Sequence, residues 1–338
     1  MGIMRAKVFL SIIGAICLFI FSQMGYARHA AILVEAESGA VLHEMEAAQA
    51  WYPASLTKLM TLYMTFDALS NKQMHLHDVM YTSKNAAQQP NSRLGLNIHE
   101  SITVEQAILA IITRSANDAS VVLAEHLAVT ESNFAVRMTA KAHSLGMYNT
   151  YFMNATGLPN ELQVTTAHDM ALLALTLYHH FPEYYHYFSA HNFEFKGHTF
   201  LGINKFTANY NGAEGMKTGF TCNSGYNLVS SAQQHGKRLI GVILGGHSSN
   251  ERYQLMINQM DHGFAGDYAS VANIHTMSTY SSGMPPRQLD CALQEHHYEE
   301  HEQQRFHSRE PRYLAKRIKT KGKSRLKKSD SNPHHVRH

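Results

Sequence analysis

The stretch Pro53-Ala54-Ser55-Leu56-Thr57-Lys58 decides how this chain is interpreted. It opens an apolar run, residues 59–64, which predicts the first turns of a buried helix. Ser55 and Lys58 are three residues apart, so on a helix they share one face with Cβ atoms about 5–6 Å apart. A hydroxyl within reach of an amine is a nucleophile beside a base. Taken alone, the pattern is better explained by an N-cap serine followed by a solvated lysine.

The order of apolar periodicity and turn residues predicts a hairpin, a long helical section, a sheet and a closing helix. Thr103 and Gln106 form a capping box, and residues 84–90 are expected to be a surface loop. Expected strands are residues 30–36, 40–43, 193–195, 198–200, 215–221, 226–232 and 238–244, and expected helices are 55–68, 104–112, 121–128, 134–145, 167–179 and 251–264. We therefore expect an α/β (α+β) fold, with an antiparallel sheet built from both chain ends, flanked by helices and interrupted by a mostly helical insert.

The chain begins with the features of a secretory signal peptide. Arg5 and Lys7 precede an apolar stretch, residues 8–21, and small residues at positions 25 and 27 suit a signal peptidase. We expect residues 1–27 to be removed after Ala27; a retained N-terminal anchor is the alternative, although the apolar stretch is short for a membrane span. The rest of the chain is then exported, and its 44% apolar and 16% charged residues suit a globular domain, assigned to residues 28–268.

Residues 269–338 lack the apolar mass for a second core and are expected to be a disordered tail. Residues 311–338 carry ten Lys or Arg and one Asp, whereas the net charge of the chain is only +3, so the body is acidic. The tail could bind an anionic membrane surface, an acidic wall polymer, or nothing. Nucleic acid is disfavoured by export and because Tyr313 is the only aromatic residue there. Weak transition-metal binding is conceivable at His296, His297, His301 and His307.

Two further motifs accompany Ser55 and Lys58. Ser115-Ala116-Asn117 lies in a tight link between two helices, and Lys217-Thr218-Gly219 lies on a strand. Together they form the Ser-x-x-Lys, Ser-x-Asn and Lys-Thr-Gly set of penicillin-binding proteins and class A β-lactamases. Each match alone has a simpler explanation, since Ser115 could cap the next helix with Asp118 at the capping-box position. All three in this order, in an exported chain, are a specific signal.

Residues 30–265 resemble the D-alanyl-D-alanine carboxypeptidases, the low-molecular-mass penicillin-binding serine peptidases. The sequence also resembles that of the family at residues 152–158, 165–170, 214–221 and 224–228. The resemblance implies a β-lactamase/transpeptidase-like fold. One departure is Ala116, where the family usually has glycine. Many relatives also carry a β-rich second domain and an amphipathic C-terminal membrane anchor, for which the tail of this chain is too polar.

The resemblance implies removal of the terminal D-alanine from peptidoglycan stem peptides, without a cofactor or metal, and acylation by β-lactams. The implied catalytic residues are Ser55 as nucleophile, Lys58 as general base and Ser115 as proton relay. The implied substrate contacts are Asn117 to an amide, Lys217 and Thr218 to the carboxylate with help from Thr221, Gly219 by close backbone approach, and the backbone N–H groups of Ser55 and Phe220 as the oxyanion hole.

Lys58 can act as a base only if it is neutral, which a pKa near 10.4 forbids at pH 7. Burial lowers a lysine pKa, and so does a like charge nearby. We therefore expect the pKa of Lys58 to be displaced furthest in the chain, with Lys217 as part of the cause.

Other functions remain open at this point. A class A β-lactamase needs a further glutamate in a Glu-x-x-Leu-Asn setting, which neither Glu161 nor Glu183 has. A D,D-endopeptidase or a catalytically silent wall-binding protein could share the fold. His168-Asp169 could be a charge-relay pair or a metal ligand, but no second ligand lies at zinc spacing, so a core or capping role is expected.

Three cysteines occur, at positions 17, 222 and 291. Cys17 lies in the signal peptide, Cys222 near the site and Cys291 in the tail. Export permits a disulfide, but two cysteines do not define a framework. We expect Cys222 and Cys291 to be free thiols.

Overall fold

The computed structural model describes residues 29–281 and 283–286. The expected signal peptide (1–27), the histidine cluster after residue 295 and the basic segment (311–338) lie outside the described residues and stay predictions. In the part of the chain that the structure describes, no helix combines the length and hydrophobicity needed to cross a membrane.

The described strands and helices follow the expected order. The strands are β1 Ala30–Glu35, β2 Ala40–Met45, β3 Val79–Tyr81, β4 Ser101–Thr103, β5 Asn192–Phe195, β6 His198–Leu201, β7 Ala213–Thr221, β8 Gly225–Gln234, β9 Lys237–Gly246 and β10 Ala272–Asn273. The helices are α1 Lys58–Ser70, α2 Lys84–Ala87, α3 Val104–Arg114, α4 Asn117–Ala128, α5 Glu131–Ser144, α6 Ala167–His180, α7 Pro182–Tyr185, α8 Lys205–Asn209 and α9 Ser249–Ala265, with 3₁₀ helices at Ala54–Thr57 and His186–Ser189.

The main sheet has six strands in the order β10-β2-β1-β9-β8-β7. All of its pairings are antiparallel. β1 pairs with β9 along its whole length, from Ala30 opposite Leu244 to Glu35 opposite Leu239. The prediction of a sheet built from both chain ends is therefore confirmed. β1 is apolar without alternation because it has a strand on each side and is covered on both faces.

Helices cover both faces of this sheet. On one face, side chains of β1 and β9 such as Val34 and Val242 share a core with Phe66 of α1 and Leu173 of α6. On the other face, Leu33 and Leu239 pack against Met256 and Met260 of α9. Burial of such side chains stabilises each by about 1.5–3 kcal/mol relative to an exposed position. The helical section between β2 and β5 is thereby fixed against the sheet.

Local capping explains several helix starts. Thr103 and Gln106 form the expected capping box at the start of α3, with both reciprocal hydrogen bonds present. Thr166 caps α6 by accepting from the Asp169 N–H, as expected. The expected surface loop at residues 84–90 instead contains the short helix α2, because Ser83 accepts from the Ala86 N–H as an N-cap.

The domain continues past residue 268, where the sequence predicted its end. Ala272–Asn273 adds a strand to the open edge of β2, and such an edge offers unpaired backbone groups. Ile274 is 1% exposed and belongs to the main core. The boundary at residue 268 is therefore wrong, because a short β segment and one buried side chain give no periodic signal.

Candidate active site

Ser55 lies in a 3₁₀ helix, Ala54–Thr57, directly before α1. Pro53 is the N-cap of this turn, and no side chain caps it. The Ser55 hydroxyl is therefore not used as a cap; Lys58 Nζ lies 3.1 Å from Ser55 Oγ. Lys58 itself is fully buried. The alternative of an N-cap serine with a solvated lysine is thus wrong, because Pro53 occupies the N-cap position and Lys58 is buried.

Lys58 occupies a closed polar pocket. Its Nζ also donates to Asn117 Oδ1 at 2.8 Å and to the Thr156 carbonyl oxygen. Burial, followed by the charge of Lys217, holds the pKa of Lys58 well below its usual range. The predicted direction and the part of Lys217 in it are confirmed. A neutral amine beside a serine hydroxyl can accept the proton of that hydroxyl.

Ser115 lies in the link between α3 and α4, in the left-handed conformation with φ 58°. Its Oγ accepts from Lys217 Nζ at 2.9 Å. Ala116 is the N-cap of α4, without a side-chain cap. The alternative of Ser115 and Asp118 as a capping box is therefore wrong. Asp118 instead accepts the backbone N–H groups of residues 94–96, which fixes that loop over the start of α4.

Asn117 connects the two helical motifs. It is 3% exposed, and its Oδ1 accepts from Lys58. Its Nδ2 donates to the Pro90 carbonyl oxygen at 2.9 Å. Both ends of the amide are engaged, so a substrate amide would have to replace one of these bonds.

Lys217 completes the line of polar groups from β7. It is 1% exposed, and its Nζ donates to Ser115 Oγ and to the Thr218 carbonyl oxygen. Burial, followed by the charge of Arg252, lowers the pKa of Lys217 to about 7. A substrate carboxylate would raise this pKa again, because an opposite charge favours the ammonium form.

Gly219 lets β7 approach the Ser55 turn. A Cβ there would lie 3.0 Å from the Pro53 carbonyl oxygen and 3.2 Å from Ser55 N. The backbone of β7 therefore passes close to the backbone nitrogen of Ser55. The oxyanion hole formed by the N–H groups of Ser55 and Phe220 stays a prediction. Phe220 is 41% exposed, with its ring centroid 4.3 Å from that of Tyr226. Thr221 Oγ1 donates to Ser224 Oγ at 3.0 Å, so its hydroxyl is tied to the turn after β7.

A loop from residue 154 to 159 crosses the Ser55 turn from the other side. At Gly157 the φ is +83°, and a Cβ would lie 1.9 Å from the Ala54 carbonyl oxygen. Only glycine fits this contact. The same loop supplies the Thr156 carbonyl that binds Lys58.

Two residues of the site were not predicted from the sequence. Asn227 is fully buried on β8, and its Nδ2 donates to the carbonyl oxygens of Tyr52 and Pro53. Its Oδ1 accepts from Gly245 N, so one side chain joins the Ser55 turn to the sheet. An asparagine inside an apolar strand needs buried partners, and that was the available signal.

Arg252 of α9 lies under β7 and β8. Its Nη1 donates to the carbonyl oxygens of Gly219 and Asn227. Its position 35 residues after Lys217 gave no signal, because only the packing of α9 on the sheet brings it there.

His168, Asp169 and Cys222 have structural partners and lie outside the catalytic group. His168 Nε2 donates to the Ile274 carbonyl oxygen at 2.8 Å, and its Nδ1 lies 3.1 Å from Asp169 Oδ1. This pair fastens the 272–274 segment, in agreement with the expected core role. Cys222 is disulfide-bonded, so the expectation of a free thiol is wrong there; distance along the chain did not exclude a partner. Within residues 29–281 and 283–286, no group of three His, Cys, Asp or Glu side chains could hold a metal ion.

Comparison with known proteins agrees with this geometry. Residues 20–248 match the family model described as D-alanyl-D-alanine carboxypeptidase. The chain belongs to this family. It is similar to the D-alanyl-D-alanine carboxypeptidases DacF of Bacillus subtilis, with 32% identity over 72% of this chain, and DacC of Escherichia coli, with 35% identity over 71%. In both cases it spans 64% of the relative's length.

Solved structures of family members have the same fold. DacD from Francisella tularensis matches with a TM-score of 0.68 and 27% identity, over 72% of this chain and 71% of that one. Penicillin binding protein 5 from Haemophilus influenzae matches with 0.67 and 32%, over 70% of each chain. Penicillin-binding protein D2 from Listeria monocytogenes, in its ampicillin-bound form, matches with 0.64 and 29%, over 70% of this chain and 96% of that one. The predicted fold class and the carboxypeptidase family resemblance are confirmed.

Proposed function

We propose that this chain is a serine-type D-Ala-D-Ala carboxypeptidase that removes the terminal D-alanine from peptidoglycan stem peptides. The observation that carries the proposal is the Ser55–Lys58 pair: a hydroxyl 3.1 Å from a fully buried amine whose pKa lies well below its usual range. The carboxypeptidase names of the relatives support the same activity.

In the proposed reaction, Ser55 Oγ attacks the carbonyl carbon of the terminal D-Ala–D-Ala bond while Lys58 Nζ takes the hydroxyl proton. The negative oxygen is stabilised by the backbone N–H groups of Ser55 and Phe220; losing one such donor costs about 10²–10³ in rate. Ser115 passes its hydroxyl proton to the leaving amine and regains one from the Lys58 ammonium, so D-alanine departs and Lys58 is neutral again. Water then attacks the ester while Lys58 takes a proton from the water. Lys58 gives this proton to Ser55 Oγ as the ester C–O bond breaks, which regenerates Ser55 and releases a stem peptide one residue shorter.

The binding groups follow from the same placement. Lys217 and Thr218 hold the terminal carboxylate, with Thr221 nearby, while Asn117 contacts an amide of the substrate. Gly219 keeps the backbone of β7 close enough for strand-like contacts. β-Lactams would acylate Ser55 as mimics of the dipeptide, in keeping with the ampicillin-bound relative.

A β-lactamase is the weaker alternative, because deacylation of a penicilloyl ester needs a further base. Glu183 is not placed to be that base, because it lies on α7 and its carboxylate accepts a hydrogen bond from Ser70 Oγ. Glu161 is exposed and lacks the Glu-x-x-Leu-Asn setting. A D,D-endopeptidase would use the same residues on a cross-link, and a silent wall-binding protein would use none of them.

The location follows the substrate. A stem-peptide carboxypeptidase acts outside the cytoplasmic membrane, so we propose that the chain is exported to the periplasm or cell envelope. Contact of the basic tail with an anionic membrane or wall polymer stays a prediction.

Two measurements test the proposal. Fluorescent penicillin should label the wild-type protein and leave Ser55→Ala unlabelled. D-Alanine should be released from a diacyl-L-lysyl-D-alanyl-D-alanine peptide. Absence of labelling under conditions that label a relative would leave only the silent protein. Rapid nitrocefin turnover without D-alanine release would favour the β-lactamase, and cleavage restricted to cross-linked dimers would favour the endopeptidase.

A further inference from the structure

A pocket of about 240 Å³ lies beside the Ser55 turn, and no residue of the three catalytic motifs lines it. Its walls include Ala54, Gly157, Leu158, Glu161, Thr221 and Asn223. Pockets that bury a whole drug-sized ligand measure about 300–1,000 Å³, so this one is sized for part of a ligand.

The position of the pocket along β7 indicates which part of the substrate would enter it. In the proposed function the terminal carboxylate lies at Lys217 and Thr218, and the attacked carbonyl lies at Ser55, opposite Gly219. A strand advances about 3.3 Å per residue, so Thr221 lies about 10 Å beyond Thr218. Two residues of extended peptide span about 7 Å. The residue that precedes the two D-alanines therefore reaches Thr221 and the pocket.

Glu161 gives the pocket its chemical character. It is the only charged side chain among the described residues that line the pocket, and it is exposed. In the part of the chain that the structure describes, no basic side chain pairs with its carboxylate. Leu158 and Pro159 add an apolar wall, which suits the methylene groups of a long side chain.

The loop that carries Glu161 is fixed by its own hydrogen bonds. Gln163 Oε1 accepts from Met153 N, and its Nε2 donates to the Leu158 carbonyl oxygen. Asn160 Oδ1 accepts from Leu162 N. The neighbouring amides are thus engaged within the protein, while the carboxylate remains available to a ligand.

We propose that this pocket receives the side chain of the residue before the two D-alanines, and that Glu161 selects acyl donors whose side chain carries a cationic amine. The inference rests on the proposed function, because it needs the substrate to run along β7. An exposed ion pair of this kind supports a preference of about 2- to 5-fold, which salt should weaken.

The test compares two peptides that differ by one acetyl group. Nα-acetyl-L-lysyl-D-alanyl-D-alanine keeps the side-chain amine, and its Nε-acetylated form blocks it. We expect the wild-type kcat/KM for D-alanine release to favour the free amine about 2- to 5-fold at low salt and less at high salt. The preference should disappear in Glu161→Gln and persist in Glu183→Gln, a matched surface glutamate bonded to Ser70.

The outcomes separate this inference from the proposed function. Equal wild-type rates on both peptides, or an unchanged preference in Glu161→Gln, would overturn the role of Glu161 while leaving the carboxypeptidase in place. Failure to release D-alanine from either peptide would overturn the carboxypeptidase and, with it, the selection of its acyl donor.

Discussion

Two buried lysines share the site, and the chemistry depends on which of them carries the proton. Burial and the charge of Lys217 disfavour the ammonium form of Lys58. The pKa of Lys217 is lowered only to about 7, and a bound carboxylate favours its charged form. If the proposed substrate carboxylate binds at Lys217, Lys217 would be charged and Lys58 neutral, which is the division of roles expected from the sequence.

Lys58→Arg tests the role of the neutral amine. Arginine stays charged in proteins, so it cannot accept the Ser55 proton. General-base catalysis typically contributes about 10²–10⁴, and we expect acylation by fluorescent penicillin to slow by that factor. The variant must first give a cooperative unfolding transition, which shows that it is folded. Acylation within a few-fold of wild type in a folded variant would mean that another group is the base.

Lys217→Met tests the pKa of the second lysine through stability. The pKa of Lys217 is about 7 in the folded chain and about 10.4 when unfolded. Between these values the unfolded chain binds a proton that the folded chain lacks, so this residue makes stability rise with pH. The free energy of unfolding of the wild type, minus that of Lys217→Met, should therefore rise from pH 7 to pH 9. A difference that stays constant would mean that the folded pKa is not lowered.

Residue roles were predictable where a short pattern carries them. Ser55, Lys58, Ser115 and Lys217 come together as the motifs indicated, with hydrogen bonds linking them in pairs. Asn227 and Arg252 were missed, because their contacts with the Ser55 turn and β7 depend on the packing of distant elements.

At the scale of elements, the Ser55 turn is confined between β7 on one side and the 154–159 loop on the other. Both contacts are made through glycine, at Gly219 and Gly157. The turn itself is unusual, since Ala54 has a φ of 50°. Its conformation is therefore set by its neighbours, and the sequence predicted a helix start there without the 3₁₀ turn.

Gly157→Ala tests this confinement, with Gly236→Ala as the matched control. Both glycines have φ near +80°, but a Cβ at Gly236 meets nothing within 4 Å. The control should lose only the cost of a left-handed alanine, about 1–2 kcal/mol. Gly157→Ala should lower the free energy of unfolding in urea by more than the control does. It should also be acylated by fluorescent penicillin more slowly, because the Ser55 turn must shift. Equal effects of the two changes on both measurements would contradict the confinement.

The regular elements were predictable because apolar periodicity and caps specify them locally, as at Thr103 and Thr166. The start of α4 was placed at Val121, four residues late, because polar Asn117 and Asp118 open the helix. Their burial is imposed by Lys58 and by the loop at residues 94–96.

At the scale of the whole molecule, the segment after α9 belongs to the fold. Val271 N donates to the Val41 carbonyl oxygen, and Ile274 N donates to that of Gly39. Removal of residues 269–338 is therefore expected to destabilise the domain, contrary to the boundary predicted from the sequence.

Ile274→Ala tests this contribution without shortening the chain. A buried isoleucine replaced by alanine costs about 2–5 kcal/mol. Val271→Ala is the control, because Val271 is 63% exposed and should change the free energy of unfolding by less than about 0.5 kcal/mol. Similar small changes in the free energy of unfolding for both variants in urea titrations would mean that the segment does not stabilise the domain.

The pairing of β1 with β9 has a consequence for how the molecule is made. The hydrogen bond from Asn227 to Tyr52 spans 175 residues, and β1 can pair with β9 only after Leu239 to Leu244 have been synthesised. Contacts of such long sequence separation form slowly, since the chain must close a large loop first. Until then Ser55 and Lys58 lack Lys217 and the backbone of β7. Penicillin should therefore not acylate nascent or partly folded chains. After dilution from denaturant, the rate at which covalent labelling appears should report the rate at which β1 pairs with β9.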